Sequence, residues 1–488
     1  MWVDRLAQIA EQYPSKVAVS TLEPARNVTY AELEAEVCCW AGYFYQCGVR
    51  EGDRVALLAV NRLEHITMFY ACAKLGAIFV ALNYRLSDGE IHDQLQVVEP
   101  KLFFCEGYKP SAFQDFPSQA PVLPETQEPF PVAEVKDDQP LLMLFTSGSS
   151  GKPKGVLLHA NMLMWNMIHT QKCWELGPED STVIHVPFFH TGGLNVFVLP
   201  LLSCGGQLTL VSKFDADQVV ELIEARRLTV FFGVPTMLSM MAAAPRFSTK
   251  ALVSLKFCIS GGAPCPDTVI EKFAGVGVVL RQGFGLTEVG PNCFAISEDE
   301  AWINPQSIGR PMPFSEVAIL DDDGHPVPTG EVGEVWFRGP HVCCGYWRNQ
   351  DAFDEVFRNG YFRTGDLMRK DEAGFYYVVG RKKEMYISGG ENVYPGEVVR
   401  ALVTHPGIED ALVLAVPDAK WGEVGFAYVL GVETPDLASL RAFLNPKLSR
   451  YKHPHHIRQL REWPMLANGK IDRMALYQKA LAEVEHDG

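Results

Sequence analysis

The sequence has no apolar run as long as the roughly 18 residues of a membrane-spanning helix, and its N-terminus lacks the apolar stretch of a signal peptide. Positive charge is also scarce, since 43 Lys and Arg face 59 Asp and Glu and leave a formal net charge of −16. A field of that sign repels nucleic acids and anionic membranes. We therefore expect a cytoplasmic protein in which any phosphate-bearing ligand is held by a local site.

The twelve cysteines contain no Cys-x-x-Cys spacing, which argues against a zinc ribbon or a dithiol redox motif. Most of them lie in apolar runs, such as residues 101–105 and 256–260, and this placement predicts buried, reduced thiols. With 488 residues, the chain can bury a large core and does not need such cross-links. Its length suggests about three domain-sized units.

Strand-like and helix-like segments alternate along the first part of the chain. A capping box formed by Thr29 and Glu32 predicts the start of a helix that runs to about Cys47. The predicted strands and helices that follow are 55–60, 64–75, 77–82, 207–211, 216–225 and 229–233. This alternation indicates parallel, doubly wound sheets with helices on both faces.

The pattern changes from about Ile319, where turn signals separate short alternating strands and predict a smaller antiparallel β unit. The acidic run 321–323 lacks the later ligands of a calcium loop, so we interpret it as a solvated turn. After a basic cluster at 381–383, a new α+β pattern begins and ends in a predicted helix over 474–484.

Residues 141–155 form the most informative motif. An apolar strand ends at Thr146 and leads into a loop of hydroxyl residues and glycines that also contains Lys152 and Lys154. Glycines let backbone N–H groups approach phosphate oxygens, and the lysines add positive charge. The loop is not a Walker A motif, because its glycines are too closely spaced and a proline follows Lys152. A flexible hairpin turn is the alternative interpretation.

Two further motifs are typical of nucleotide sites. Residues 282–288 follow a predicted strand at 276–280 and join a Gly-x-Gly turn to Thr287 and Glu288, a pair able to orient phosphate and hold Mg²⁺. Residues 260–264 read Ser-Gly-Gly-Ala-Pro, a backbone-rich shelf on which a flat base could lie.

Polar residues near glycine turns complete the set. Asp366 offers a carboxylate for two ribose hydroxyls, Arg381 follows a glycine, and Lys470 lies on a turn close to the C-terminus. Each motif alone is compatible with an ordinary surface turn. Together they describe a nucleotide site that receives a lysine from a second domain.

In this order, the motifs resemble those of the adenylate-forming superfamily of acyl-CoA synthetases, nonribosomal adenylation domains and beetle luciferases. The resemblance covers essentially the whole chain. It implies an α/β fold in which a large N-terminal body of stacked doubly wound sheets plus a small β unit (1–382) precedes a mobile α+β C-terminal lid domain (383–488). It places the hinge at Lys383.

The resemblance also implies an ATP-dependent ligase that uses Mg²⁺ and coenzyme A. Thr146 and Glu288 would bind Mg²⁺, Thr287 would contact the α-phosphate, and Lys470 would bridge the substrate carboxylate and the α-phosphate. The other implied ATP- or CoA-binding residues are Ser147, Gly148, Ser149, Ser150, Gly151, Lys152, Lys154, Gly261, Gly262, Ala263, Pro264, Gln282, Gly283, Phe284, Gly285, Asp366, Arg381, Gly389 and Gly390. Phe284 replaces the commoner Tyr of its motif, which keeps a flat ring and removes a hydroxyl.

An acyl pocket is implied around His190, which would act as a gate beside the substrate carboxylate. The other implied pocket residues are Phe189, Thr191, Gly192, Phe232 and Gly233. Arg281 and His185 remain candidates for a cation that pairs with a second carboxylate. The glycines leave room for a medium- or long-chain fatty acid or a flat aryl acid, and the sequence does not choose between them.

The expected reaction is formation of an acyl-CoA through acyl-AMP, with release of AMP and pyrophosphate. The alternatives are an acyl-AMP ligase that loads a carrier protein, which usually carries an insertion that is not seen here, and a non-catalytic nucleotide-binding homologue. Luciferase-type oxidation is the third and least favoured alternative. A homodimer is compatible with the sequence, which does not decide the oligomeric state.

Overall fold

The computed structural model describes residues 4–107, 113–147, 153–431, 435–466 and 470–487. The chain forms two compact units, of which the first comprises Met1–Val317 and Phe337–Phe362. The second comprises Ala318–Trp336 and Arg363–Gly488. Among the described residues, no helix is both long and apolar enough to cross a membrane.

Helices occur throughout both units. In the described part of the chain they are α1 (Arg5–Gln12), α2 (Tyr30–Gln46), α3 (Glu64–Leu75), α4 (Asp88–Val98), α5 (Ala160–Cys173), α6 (Thr191–Asn195), α7 (Val198–Leu202), α8 (Ala216–Arg226), α9 (Pro235–Ala243), α10 (Thr249–Leu252), α11 (Asp267–Gly275), α12 (Glu298–Ile303), α13 (Gln350–Asp354), α14 (Pro395–Leu402), α15 (Leu437–Leu444) and α16 (Arg473–Asp487). Short 3-10 helices span Lys382–Glu384 and Arg450–Lys452.

The strands alternate with these helices. They are β1 (Val17–Leu22), β2 (Ala25–Thr29), β3 (Arg54–Leu58), β4 (Ile78–Leu82), β5 (Leu102–Cys105), β6 (Ser118–Gln119), β7 (Pro140–Ser147), β8 (Pro153–His159), β9 (Ser181–Ile184), β10 (Gln207–Leu210), β11 (Val230–Gly233), β12 (Phe257–Ser260), β13 (Leu280–Gln282), β14 (Phe294–Ala295), β15 (Arg310–Pro311), β16 (Glu316–Leu320), β17 (Val332–Arg338), β18 (Gly345–Tyr346), β19 (Phe357–Arg358), β20 (Tyr361–Lys370), β21 (Tyr376–Arg381), β22 (Tyr386–Ser388), β23 (Glu391–Val393), β24 (Asp410–Asp418), β25 (Gly422–Leu430) and β26 (His456–Gln459).

Parallel sheets dominate the first unit, as the alternating pattern predicted. One sheet has the order β18-β8-β7-β4-β3-β5-β6, in which β3, β4, β5 and β7 run parallel and β8 returns antiparallel beside β7. A second has the order β2-β1-β10-β9, and a third consists of the parallel strands β11-β12-β13. The predicted α/β fold class is confirmed.

Helix ends in this unit follow from local sequence. The Thr29 hydroxyl accepts from the Glu32 N–H, and the Glu32 carboxylate accepts from the Thr29 N–H at 2.7 Å, so α2 begins at the predicted capping box. Gly76 ends α3 in the left-handed conformation with φ +66°.

The strand predicted at 276–280 was misplaced. Helix α11 continues to Gly275, and Gly277 turns the chain with φ +82°. Strand β13 therefore begins at Leu280, because the left-handed glycine interrupts the apolar run that had been interpreted as one strand.

The second unit has an α+β arrangement. Its sheet β23-β22-β25-β24 is antiparallel, with β26 added in parallel beside β25. Alternate residues of β24 and β25 face opposite sides, so that Val413 and Val429 pack with α14 and α15, whereas Phe426 and Tyr428 pack with α16. Strands β20 and β21, which precede this sheet in the chain, pair antiparallel. The boundaries between the two units fall within β16, β17 and β20.

The acidic run 321–323 forms a turn. The Asp321 carboxylate accepts from the backbone N–H groups of Asp323 at 2.9 Å and His325 at 2.8 Å. These bonds close the turn that the sequence predicted.

Candidate active site

The strands that flank the phosphate-loop motif form a hairpin. Strands β7 and β8 pair antiparallel, and Thr146 lies opposite Lys154. The predicted ligands Gly148, Ser149, Ser150, Gly151 and Lys152 lie outside the described residues, as does the side chain of Ser147. The hairpin and phosphate-loop interpretations are therefore compatible, since the motif joins the two strands of one hairpin.

Two other motifs meet at one edge of the parallel sheet β11-β12-β13. Gly233, Ser260 and Gln282 are register partners at the carboxyl ends of the three strands. The Gly261 N–H donates to the Gly233 carbonyl at 3.2 Å, and the Gly283 N–H donates to the Ser260 carbonyl at 2.7 Å. Ligands commonly bind beyond this edge in α/β sheets, so the fold brings the predicted adenine shelf and the Gly-x-Gly turn together.

Gln282 has a structural role in this arrangement. Its Oε1 accepts from the Cys265 N–H at 3.0 Å, and its Nε2 donates to the Pro305 carbonyl at 3.1 Å and to Gln306 Oε1 at 2.9 Å. The side chain thereby joins the strand end to the segment just after Gly261–Pro264.

The loop after β13 is held closely by backbone contacts. The Leu286 N–H donates to the Gly290 carbonyl at 3.1 Å, and a Cβ built on Gly285 would lie 2.3 Å from the carbonyl oxygens of Gly290 and Pro291. Only glycine fits at position 285 without moving this backbone. The Phe284 ring stacks on Phe337, with centroids 6.2 Å apart.

Glu288 is buried in the same loop. The Tyr346 hydroxyl donates to its Oε1 at 3.1 Å, and the Cys343 N–H donates to its backbone carbonyl at 2.7 Å. Burial, together with the Glu288 charge, raises the pKa of the Tyr346 phenol far above its usual range, so the phenol remains a donor. Mg²⁺ is a hard cation that prefers oxygen ligands, and the Glu288 carboxylate lies in the loop that follows β13. Its donor chemistry therefore fits Mg²⁺.

Three of the predicted acyl-pocket residues, His190, Thr191 and Gly192, lie at the start of α6. His190 precedes this helix, its N–H donates to the Pro187 carbonyl at 3.0 Å, and its ring packs on Phe189 with centroids 4.5 Å apart. The Thr191 hydroxyl accepts from Asn195 Nδ2 at 3.1 Å.

Phe232 lies between two of the predicted glycine positions. A Cβ on Gly192 would be 3.0 Å from Phe232 Cε1, and one on Gly261 would be 2.9 Å from Phe232 Cε2. The aromatic ring thus fills the space beside both backbones, and a side chain at either position would compete with it.

The two candidates for a cation that pairs with a second carboxylate, His185 and Arg281, differ in charge. His185 is buried, its Nε2–H donates to the Phe232 carbonyl at 2.9 Å, and burial lowers its pKa to about 4, so the ring is neutral near pH 7. The Arg281 guanidinium lies over the Phe257 ring, 4.2 Å from its centroid.

In the second unit, Asp366 and Arg381 form a pair across β20 and β21. They are register partners, and Arg381 Nε lies 2.6 Å from Asp366 Oδ1. The carboxylate is buried, whereas about half of the Arg381 side chain is exposed. The sequence placed both residues at a ribose site without indicating that they contact each other.

Glu334 is a buried carboxylate that sequence reasoning missed. It accepts from Arg363 Nη2 at 3.1 Å, Lys382 Nζ at 3.2 Å and the Gly365 N–H at 3.2 Å. Burial raises its pKa, but the hydrogen bonds and charges of Arg363 and Lys382 outweigh burial, and the net pKa is lowered. The network therefore holds Gly365, which precedes Asp366, and Lys382, which follows Arg381.

The remaining predicted residues lie on turns of the second unit. Lys383 is exposed in the 3-10 helix after β21. Gly389 and Gly390 form the tip of the β22–β23 hairpin with φ +60° and +88°, and Trp421 packs against Gly389. Lys470 is exposed, and its carbonyl accepts from the Leu466 N–H at 2.7 Å.

The AMP-binding enzyme family model matches residues 6–347, and the AMP-binding enzyme C-terminal domain model matches residues 397–470. The chain belongs to the AMP-binding enzyme family. The interval between the two matches contains Asp366, Arg381, Lys383 and the glycines of the β22–β23 hairpin. The predicted resemblance to adenylate-forming enzymes is confirmed.

Curated relatives of this AMP-binding enzyme are CoA ligases. A feruloyl-CoA synthase of Amycolatopsis sp is 36% identical over 455 residues, covering 91% of this chain and 92% of the relative. An indoleacetate–CoA ligase of Aromatoleum aromaticum is 36% identical over 492 residues, covering 96% of each. Among solved structures, o-succinylbenzoate CoA synthetase (MenE) from Bacillus subtilis in complex with its acyl-adenylate intermediate is 29% identical with a TM-score of 0.89, and the match covers 97% of each chain.

This AMP-binding enzyme is an acid–thiol ligase. It uses ATP, Mg²⁺ and CoA to convert a carboxylic acid into its CoA thioester through acyl-AMP, and it releases AMP and pyrophosphate. The predicted reaction class and co-substrates are thereby confirmed.

Proposed function

We propose that this ligase activates an aryl or arylalkyl carboxylic acid in preference to a long-chain fatty acid. The observation that carries the proposal is the position of Phe232, whose ring contacts the backbones of Gly192 and Gly261. The ring offers a flat face to a planar substrate and occupies volume that a long flexible chain would need. The names of the relatives, feruloyl-CoA synthase and indoleacetate–CoA ligase, support the same substrate class.

The proposed residue roles in the first unit are those that the resemblance to adenylate-forming enzymes implies. Residues 146–154 bind the β- and γ-phosphates, the 261–264 shelf receives adenine, and Thr287 contacts the α-phosphate. Glu288 and Thr146 hold Mg²⁺, which supplies charge neutralisation of phosphate oxygens when bound. His190 stands beside the substrate carboxylate.

The second unit contributes its own groups to each half-reaction. Asp366 and Arg381 hold the ribose, and Lys470 offsets charge as the carboxylate approaches the α-phosphate. For thioester formation, Gly389 and Gly390 line the pantetheine arm of CoA. Both glycines lack a Cβ, and no atom lies within 4 Å of a Cβ built on Gly390, which leaves room there for a close ligand.

The domain boundary at Lys383 remains a prediction and forms part of this proposal. The lid, 383–488, would rotate about Lys383 between the adenylating and thioester-forming states. Its support is that Lys383 is exposed within a single 3-10 turn between β21 and β22.

The cytoplasmic location and a homodimer also remain proposals. The cysteines are all free, as expected in a reducing compartment, but only Cys72, Cys258, Cys265, Cys293 and Cys343 of the twelve are buried. Sedimentation velocity of the purified protein tests the dimer.

The test of substrate class is the variant Phe232→Ala, assayed by acid-dependent pyrophosphate release. The panel contains hydroxycinnamic and indolyl acids and saturated fatty acids of increasing length. We expect the wild type to favour the aryl acids. We expect Phe232→Ala to shift the ratio of kcat/KM values toward longer chains by roughly tenfold or more, because each additional methylene that the pocket accommodates contributes about 1–3 kcal/mol. Phe314→Ala is the control, since Phe314 is 70% exposed in the same unit.

Two outcomes contradict the proposal. One is a wild-type enzyme whose kcat/KM is higher for long-chain fatty acids than for every aryl acid. The other is a chain-length profile that Phe232→Ala leaves unchanged.

A further inference from the structure

Tyr346 joins two parts of the ligase that the proposed function assigns to ATP and Mg²⁺. Its hydroxyl donates to Glu288 Oε1 at 3.1 Å in a buried setting, and Lys154 Nζ lies 4.8 Å from the centroid of its ring. One side chain therefore contacts both the proposed metal carboxylate and a lysine from the end of the phosphate loop.

The backbone fixes Tyr346 between these groups. Strand β18 pairs with β8, with Tyr346 opposite Val156, and the Trp347 N–H donates to the Gly155 carbonyl at 2.7 Å. On the other side, the Cys343 N–H donates to the Glu288 carbonyl at 2.7 Å. The short segment 343–347 is thus bonded at one end to the Glu288 loop and at the other to the strand that leaves the phosphate loop.

We propose that Tyr346 is a positioning residue that holds the Glu288 carboxylate in the orientation required for Mg²⁺–ATP and sets its placement relative to Lys154. The inference rests on the proposed role of Glu288. A carboxylate can rotate about its side-chain bonds, and a buried donor on one oxygen selects one orientation. A ring that simultaneously contacts Lys154 couples that orientation to the phosphate-binding strand.

The test compares ATP binding to the full-length protein in Mg²⁺ and in EDTA by titration calorimetry. The variant is Tyr346→Phe, which removes the hydroxyl and keeps the ring over Lys154. We expect the strengthening of ATP binding by Mg²⁺ to fall by roughly tenfold, as for loss of a hydrogen bond to a charged group. Affinity for metal-free ATP should remain within about twofold, because the ring contact is kept.

Tyr30→Phe is the matched control. Its hydroxyl is also buried and donates to the Gly206 carbonyl at 2.6 Å, in a part of the first unit with no proposed role in ATP binding. Titrations are made well below the melting temperature of each variant, so that a loss of stability alone does not change the result. Tyr30→Phe should lower the melting temperature and leave the Mg²⁺ effect unchanged.

Glu288→Gln and the double variant separate the inference from the proposed function on which it rests. If Tyr346 acts through Glu288, Tyr346→Phe has no further effect on the Mg²⁺ dependence in the Glu288→Gln background. A Tyr346→Phe variant with the wild-type Mg²⁺ effect, or an undiminished effect of that substitution in the double variant, overturns the inference. A Glu288→Gln variant that keeps the full Mg²⁺ effect overturns the metal role of Glu288 itself.

Discussion

Gly285→Ala is a sharp test of the loop that carries Thr287 and Glu288. The new Cβ would lie 2.3 Å from the carbonyl oxygens of Gly290 and Pro291, whereas Cβ contacts under 3.0 Å are essentially never seen. Both neighbours are backbone, so no side-chain rotation relieves the contact. The loop must open by roughly 0.7 Å, the difference between these two distances.

The expected cost has two parts. Overpacking of this kind destabilises by about 1–3 kcal/mol, which lowers the melting temperature by a few degrees. A displacement approaching 1 Å in groups that position the reacting phosphate costs about a hundredfold in rate, so kcat for acid-dependent pyrophosphate release should fall by about that factor.

Gly275→Ala provides the matched control. Gly275 ends α11, no atom lies within 4 Å of a Cβ built there, and alanine favours a helix by up to about 1 kcal/mol. This variant should keep its activity and gain slightly in melting temperature. A Gly285→Ala enzyme with activity within about twofold of wild type would refute the close packing of this loop.

Three further predictions concern the second unit. Glu334→Gln should destabilise by about 3 kcal/mol at pH 7, because it weakens a buried carboxylate's bonds to Arg363 and Lys382. Since the folded pKa of Glu334 is lowered, this difference in melting temperature should shrink as pH falls below the ordinary glutamate pKa of about 4.3, and a difference that grows in acid would contradict it. Lys470→Ala should cut acyl-AMP formation by at least about a hundredfold while sparing thioester formation from supplied acyl-AMP, and equal losses would remove its assigned role. Lys383→Pro should slow the thioester step more than adenylation in single-turnover assays, and equal slowing would place the hinge elsewhere.

Local sequence determined the parts of the fold that depend on short-range chemistry. The capping box at Thr29 starts α2 as predicted, and Gly76 ends α3 at the predicted residue 75, because both depend on hydrogen bonds between neighbours in the chain. The boundary near β13 was missed since an apolar run does not reveal that Gly277 adopts a positive φ.

The sequence predicts a site residue well when the residue type and its motif already indicate the chemistry. It predicts a residue less well when the role depends on a partner that is distant in the chain. Gln282 belongs to a nucleotide-binding motif, yet its amide bonds to Pro305 and Gln306. Glu334 and Tyr346 carry no recognisable pattern, because their roles come from partners that the fold brings close: Arg363, Lys382 and Glu288. What marks both residues is burial beside a predicted motif. Burial is seen in the structure and cannot be read from the sequence alone.

The central claim is that this ligase forms acyl-AMP before CoA takes part. ATP–pyrophosphate isotope exchange, measured with an aryl acid and without CoA, tests it most directly. We expect exchange that requires the acid and Mg²⁺ and proceeds in the complete absence of CoA. Exchange that appears only when CoA is added, or that is absent with every acid that yields a thioester, would contradict it.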